Sequence, residues 1–222
     1  MKAGHVFAHR GFHFSKLDEN SLCSFRRASI SPEFVGFECD VHLSADKIPV
    51  IVHDATLLRT HNLNNIIKES TWLQLEAHIP SAESVLAKFG SSNHIIFDLK
   101  TETSTDTMLT IKIIDTLASC LNTVNMVTNY SYLVWQALPD ISSRHQVLLA
   151  CNYVFDASDL PQHYAGFACK FDGSCENRRS IDVALEKHKN KERELHINLY
   201  APDSAQIPQM LGFYRAQCSF TI

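Results

Sequence analysis

Short apolar runs alternate with amphipathic stretches along the chain, and this alternation predicts repeated strand–helix units. Apolar runs predict eight strands, at residues 6–9, 35–41, 95–100, 126–130, 146–150, 165–170, 195–200 and 218–222. Helical spacing predicts helices at 19–29, 71–77, 81–89, 105–121, 131–138, 180–188 and 204–211. An extended segment at 49–53 returns after a turn that follows the second strand.

Repeated strand–helix units imply a parallel sheet that is buried on both faces. Eight such units predict a closed α/β fold, the (β/α)8 TIM barrel. The 222 residues of the chain are fewer than the roughly 250 typical of this fold, so the barrel must be compact. We expect one domain over residues 1–222, with a small insertion after the His53–Asp54 loop and no eighth helix after the last strand.

Composition excludes several classes of function. A formal net charge of −4 gives no electrostatic reason to expect nucleic acid or an anionic membrane as a partner. No apolar run approaches the ~18 residues of a membrane span, so stable membrane insertion is not expected. Seven cysteines without a CxxC spacing are typical of reduced thiols, and the N-terminus lacks the apolar core of a signal peptide. These features predict a cytoplasmic protein.

Two acidic residues interrupt the apolar second strand. Glu38 and Asp40 are two positions apart, so their side chains point to the same face. An isolated E-x-D pair more often faces solvent, but a parallel barrel strand is buried on both faces. Because two buried carboxylates repel each other, a divalent cation with a preference for oxygen ligands is the expected partner.

Other polar pairs are expected to join these acids, because reactive side chains of such barrels gather where the strands end. The first strand ends at His9–Arg10, the third ends with Asp98 and Lys100, and the return segment ends at His53–Asp54. Acids for a cation, positive charges for phosphate oxygens and two imidazoles for proton transfer together suit attack at phosphorus. Asp54 can orient the His53 ring.

These motifs resemble those of the glycerophosphodiester phosphodiesterases, a TIM-barrel family of the phospholipase C-like phosphodiesterase superfamily. The family pattern H-R, E-x-D, H-D stands here as AHRGF at 8–12 and FECDVHLSADKIPVIVHD at 37–54, continuing as HDATLLRT at 53–60. Glu19–Asn20 matches the P-E-N-T segment, with Asp18 in place of proline. IPSAESVL at 79–86 resembles the segment that opens the next helix, and IIFDLK at 95–100 matches the strand that usually ends E-x-K.

The resemblance implies a hydrolase that converts glycerophosphodiesters, such as glycerophosphocholine or glycerophosphoethanolamine, to glycerol 3-phosphate and an alcohol through a cyclic phosphate. It implies one divalent cation, Mg²⁺ or Ca²⁺ with Mn²⁺ as a third candidate, on Glu38, Asp40 and Asp98. Among the remaining residues, it implies catalytic roles for His9, His53 and Lys100, phosphate contacts from Arg10 and Lys100, and orientation of His53 by Asp54.

Two further residues are candidates for substrate binding. Glu19 either binds substrate or holds a substrate-binding side chain in place. The alternative is that it forms an ion pair or a cap at the start of its helix. Tyr200, at the end of the seventh predicted strand, either lines the mouth of the barrel or packs in the core.

Departures from the family pattern keep two alternatives open. Asp98 replaces the usual Glu, and Asp-x-Lys here resembles the related phospholipase D toxins. Leu199–Tyr200 stands in place of a late Trp-Thr, and Thr221–Ile222 in place of a terminal Thr-Asp. One alternative is a lipid phosphodiesterase of lysophospholipase D or phospholipase D type. The other is a non-catalytic barrel that binds a phosphodiester.

Overall fold

The computed structural model describes residues 5–119, 124–128, 146–151, 164–188, 196–200, 207–208, 210 and 219–222. In this part of the chain the strands are β1 Val6–Ala8, β2 Gly36–Leu43, β3 Pro49–Ile51, β4 His94–Leu99, β5 Val124–Thr128, β6 Gln146–Cys151, β7 Tyr164–Lys170, β8 His196–Tyr200 and β9 Ser219–Thr221. The helices are α1 Leu22–Ile30, α2 Leu58–His61, α3 Trp72–Leu75, α4 Ala82–Phe89, α5 Ser104–Leu117 and α6 Cys175–His188, with a 3₁₀ turn at Ile67–Glu69.

Eight of these strands form a parallel sheet that closes on itself. The order runs β1-β9-β8-β7-β6-β5-β4-β2, and a pairing between β1 and β2 completes the ring. Phe7 is the residue at the seam, with Gly36 opposite it on β2 and Thr221 opposite it on β9. The predicted (β/α)8 barrel is confirmed.

The ninth strand, β3, runs antiparallel to the end of β2. Val41 lies opposite Ile51, and Leu43 lies opposite Pro49. The backbone N–H of Val52 donates to the carbonyl of Asp40 at 3.1 Å. This hairpin therefore delivers the residues that follow β3 to the same end of the barrel as the acids of β2.

Apolar side chains fill the barrel beneath those acids. Ile96 pairs in register with Glu38, and Asp98 with Asp40, so one face of β4 continues the acidic face of β2. Ile96 belongs to a small buried cluster with Phe7, Leu148 and Ala168. The alternate residues of the same strands, such as Phe37 and Phe97, join a larger cluster that includes residues of the surrounding helices. The acids thus lie above a layer of buried apolar side chains.

Helix boundaries differ from the predicted ones where caps intervene. The first helix begins at Leu22 rather than at residue 19, because the Ser21 side chain accepts the backbone N–H of Ser24 as an N-cap. Asn20 has a φ of 53°, which a helix does not allow. Glu19, Asn20 and Ser21 therefore lie outside α1, and the first two contribute to the site described below.

The rest of the helical pattern is close to the prediction. The helix α6 begins at Cys175 instead of residue 180. The insertion after His53–Asp54 is small and contains only α2, the 3₁₀ turn and α3. Residues 207, 208 and 210 are helical, within the range predicted at 204–211. The helix predicted at 131–138 lies outside the described residues. Among the helices described, none has the length and apolar character needed to cross a bilayer.

Candidate active site

Three carboxylates meet at the C-terminal mouth of the barrel. Glu38 and Asp40 are buried on β2, and Asp98 lies opposite Asp40 on β4. One carboxylate oxygen from each acid lies within 4.8 Å of the other two. Among the described residues, these three acids are the group that could hold a metal ion. All three donors are oxygens, which is the ligand type that Mg²⁺ and Ca²⁺ take.

The electrostatics of the acids show an excess of negative charge. Burial, together with the charges of Asp40 and Asp98, raises the pKa of Glu38 well above its ordinary value. Burial also raises the pKa of Asp98, although Lys100 opposes the rise. Burial alone would raise the pKa of Asp40 too, but Lys100 and Arg10 outweigh it and bring that pKa to about 2. The two positive side chains do not compensate all three acids, which suits a divalent cation.

Lys100 and Arg10 flank the acids. The Lys100 ammonium lies 2.9 Å from Asp40 Oδ1 and 2.5 Å from Asp98 Oδ2. Arg10 Nε lies 3.3 Å from Asp40 Oδ2. The backbone N–H of Arg10 donates to Glu38 Oε2 at 3.0 Å. Arg10 has a φ of 55°, a left-handed conformation that costs about 1–2 kcal/mol for a residue with a side chain. This strain accompanies a backbone donor aimed at one of the acids.

The two predicted histidines lie close to this cluster, since His9 approaches Glu38 and the charge of His53 acts on Asp40 and Asp98. His9 is half-buried, with Nε2 3.8 Å from Glu38 Oε2, and burial together with Arg10 lowers its pKa to about 4. His53 Nδ1 lies 2.7 Å from Asp54 Oδ1. A hydrogen bond from Arg59 keeps the pKa of Asp54 low, so Asp54 is a carboxylate and accepts this bond. His53 Nδ1 is therefore the donor, which leaves Nε2 as the proton-accepting nitrogen of the neutral ring.

Glu19 lies in an ion-pair network. Its carboxylate is buried and accepts from Arg10 Nη1 at 3.2 Å and from Arg59 Nη2 at 2.5 Å. Burial acts to raise the pKa of Glu19, but the bonds from Arg59 and the charge of Arg10 lower it overall. Since Ser21 caps the helix, the observed interaction of Glu19 is pairing rather than capping.

Tyr200 is the last residue of β8, in register with Lys170 at the end of β7. Its backbone therefore lies at the mouth of the barrel. Its proposed part in substrate binding stays a prediction.

Three residues of the site had been given no role from the sequence. Asn20 contacts Asp40, Arg59 contacts Asp54, and His42 Nε2–H donates to the backbone carbonyl of His53 at 3.0 Å. Asn20 and Arg59 lie within the segments compared with the family pattern, and His42 continues the face of Glu38 and Asp40 at two-residue spacing. Position in a motif and strand alternation were the signals that could have found them.

Fold and site together place the chain among (β/α)8-barrel proteins whose mouth carries clustered acids and two histidines. The family model described as "Glycerophosphoryl diester phosphodiesterase family" matches residues 9–159, and the chain belongs to this family. The membership predicted from the H-R, E-x-D and H-D motifs is thereby confirmed.

Curated relatives match over a shorter stretch. The chain is 39% identical over 67 residues to glycerophosphodiester phosphodiesterase domain-containing protein 4 of Macaca fascicularis, which is 30% of this chain and 10% of that protein. It is 37% identical over 71 residues to a glycerophosphodiester phosphodiesterase of Bacillus altitudinis, which is 32% of this chain and 28% of that protein. The matched segments thus span less than a third of either relative.

Solved structures match over the whole barrel. A glycerophosphodiester phosphodiesterase of Parabacteroides distasonis has a TM-score of 0.76 at 18% identity, covering 100% of this chain and 93% of that one. An Oleispira antarctica phosphodiesterase, solved in complex with the product sn-glycerol-3-phosphate, has a TM-score of 0.73 at 18% identity, covering 99% and 93%. At these identities the likeness establishes the fold.

Proposed function

We propose that this chain is a metal-dependent phosphodiesterase that hydrolyses glycerophosphodiesters to glycerol 3-phosphate and an alcohol. The observation that carries the proposal is the meeting of three carboxylates with His9 and His53 at one end of the barrel. Membership of the family supports it. The product named for the Oleispira structure also supports it.

Glu38, Asp40 and Asp98 would hold one divalent cation, Mg²⁺ or Ca²⁺, with Mn²⁺ as a third candidate. Their oxygen donors and uncompensated charge fit such an ion. When bound, the cation supplies Lewis-acid polarisation of the phosphoryl group and offsets its negative charge. Arg10 and Lys100, which face the acids, would bind phosphate oxygens. Glu19 and Tyr200 would line the substrate pocket.

The two histidines would move the protons. The glycerol hydroxyl beside the ester attacks phosphorus as one imidazole takes its proton, and the other imidazole gives a proton to the departing alcohol. The product of this step is a cyclic phosphate. Water then opens the ring, and glycerol 3-phosphate forms. Asp54 keeps the His53 proton on Nδ1, so that Nε2 is the nitrogen that exchanges a proton with substrate.

The first test is release of glycerol 3-phosphate from glycerophosphocholine and glycerophosphoethanolamine by metal-stripped protein. Mg²⁺, Ca²⁺ and Mn²⁺ are added back one at a time. We expect no release without metal and restored release with at least one ion. Absence of release with every ion would contradict the proposal. Loss of turnover in His9→Ala and His53→Ala would exclude the non-catalytic alternative.

A lipid substrate is the second candidate, and the loop after β1 favours it. Phe14 and Leu17 on this loop are 75% and 70% exposed. Leu17 also lines a cavity of about 120 Å³ with His53. An exposed apolar side chain beside a cavity that His53 also lines suits an acyl chain. Faster turnover of lysophosphatidylcholine than of glycerophosphocholine would contradict the first proposal and support the lipid substrate.

A cytoplasmic location is part of the first proposal, and cell fractionation tests it.

A further inference from the structure

Arg59, in the short helix α2, contacts two carboxylates with its guanidinium group. Its Nε and Nη2 lie 2.5 Å and 3.2 Å from the two oxygens of Asp54. Its Nη2 and Nη1 lie 2.5 Å and 3.2 Å from the two oxygens of Glu19. Both contacts are bidentate, a geometry that the planar guanidinium allows and an ammonium does not. The hydrogen bonds that Arg59 donates to Glu19 and Asp54 raise its pKa, so it is a permanent cation.

Arg59 closes a continuous path between the carboxylate cluster and the second histidine. Each neighbouring pair along this path is in contact, in the order Asp40, Arg10, Glu19, Arg59, Asp54, His53. Glu19 at the centre of the path is buried, with 4% of its side chain exposed, and is held between two arginines. The position of Asp54 is therefore tied to the position of the acids on β2.

The side chain of Asp54 needs such a tie because 27% of it is exposed. Oδ1 accepts from His53, while Arg59 contacts both carboxylate oxygens. Without the guanidinium, water would compete for the Asp54 carboxylate. Rotation of that carboxylate would break its hydrogen bond with His53 Nδ1–H. Loss of this bond allows the other tautomer, in which Nε2 carries the proton and cannot accept one.

We propose that Arg59 is a positioning residue, which aligns the Asp54 carboxylate and so sets the tautomer and direction of the His53 ring. The inferred effect of Arg59 on catalysis rests on the proposed phosphodiesterase function. Its inferred effect on the tautomer of the His53 ring does not depend on that function. A purely structural role, in which Arg59 only anchors the four-residue helix α2, would leave the ring nitrogens of His53 unaffected.

The test compares Arg59→Gln, which removes the charge, with Arg59→Lys, which keeps it without the bidentate geometry. Arg26→Gln is the matched control, because Arg26 is exposed on α1. The first readout is the ¹⁵N NMR signal of the His53 ring at pH 8, assigned by its loss in His53→Ala. We expect Nδ1–H in the native chain and in Arg26→Gln, and a mixture with Nε2–H in both Arg59 variants.

The second readout is kinetic. We expect kcat to fall by about 10- to 100-fold in Arg59→Gln, with KM little changed. This is the range found when a residue that orients a metal-binding side chain is replaced. Added guanidinium should restore part of the kcat of Arg59→Ala and none of that of His53→Ala. An unchanged His53 tautomer in folded Arg59→Gln and Arg59→Lys would overturn the inference. If the native chain fails to hydrolyse glycerophosphodiesters, the NMR readout still decides the role of Arg59.

Discussion

Asn20 and Asp40 hold each other through two hydrogen bonds. The Asn20 amide donates to Asp40 Oδ2 at 2.7 Å, and the backbone N–H of Asp40 donates to Asn20 Oδ1 at 3.1 Å. Both residues are buried, and Asn20 has a left-handed φ of 53°. Asparagine tolerates this conformation better than most residues, so one residue type satisfies both the backbone and the carboxylate. The pair sets the direction of a proposed metal ligand.

Replacing Asn20 should therefore weaken both the fold and the metal site. We expect Asn20→Ala to lower the free energy of unfolding by about 2–4 kcal/mol. It leaves Oδ2 and the backbone N–H of buried Asp40 without their Asn20 partners, and it keeps the strained backbone at residue 20. Asn20→Gly removes the same bonds but relieves the backbone, so it should be about 1 kcal/mol milder. Urea unfolding measures both values. Equal stability of the two variants would show that the left-handed conformation carries no cost here.

Loss of a carboxylate from the cluster should reduce metal affinity and activity together. Glu38→Gln and Asp40→Asn each remove an anionic ligand while keeping the size of the side chain. Titration calorimetry of the metal-stripped protein and metal activation of turnover measure the two effects. Glu33→Gln is the control, because Glu33 is exposed and lies outside the cluster. Unchanged metal activation in Asp40→Asn would contradict the assignment of this site.

The barrel was predictable because its rules are local and repeated. Apolar runs separated by helical spacing specify strands buried on both faces, and eight of them close the ring. Glu38 and Asp40 could be placed on one face from strand alternation alone. The convergence of His9, His53 and Asp98 followed from the rule that functional side chains gather at strand ends.

The surrounding network could not be predicted by the same rules. The contact of Glu19 with Arg59 joins residues 40 positions apart, through a four-residue helix. A helix of this length has little stability of its own, so tertiary packing determines where it lies. The start of α1 at Leu22 was missed for a related reason, because the capping of Ser21 and the backbone of Asn20 outweigh helical spacing. These features depend on three-dimensional contacts rather than on periodicity.

His53→Ala should greatly reduce turnover while sparing the metal site. A positioned proton-transfer group contributes about 10²–10⁴-fold in rate, so kcat should fall within that range. His53 is not one of the clustered acids, and calorimetry should give metal affinity close to that of the native chain. His94→Ala is the control, since His94 is the first residue of β4 and lies at the end of the barrel opposite the acids. A loss well below this range would assign the proton transfer to another residue.

Arg59 should also make the stability of the protein depend on pH in the acid range. Hydrogen bonds from Arg59 lower the folded-state pKa of Asp54. They also lower the folded-state pKa of Glu19, although the burial of Glu19 opposes this shift. A carboxyl group with a lowered pKa stabilises the fold above its unfolded pKa of about 4, and this stabilisation is lost as the pH falls through the lower folded value.

Arg59→Gln should thus lower the free energy of unfolding by about 1–3 kcal/mol at pH 7, the usual cost of losing hydrogen bonds to charged groups. The difference from the native chain should shrink when the pH falls below about 4, because both carboxyl groups then become protonated. Urea unfolding at a series of pH values measures the difference, and Arg26→Gln should show none at any pH. A difference that stays constant with pH would mean that Arg59 stabilises the fold by packing rather than by pairing with Glu19 and Asp54.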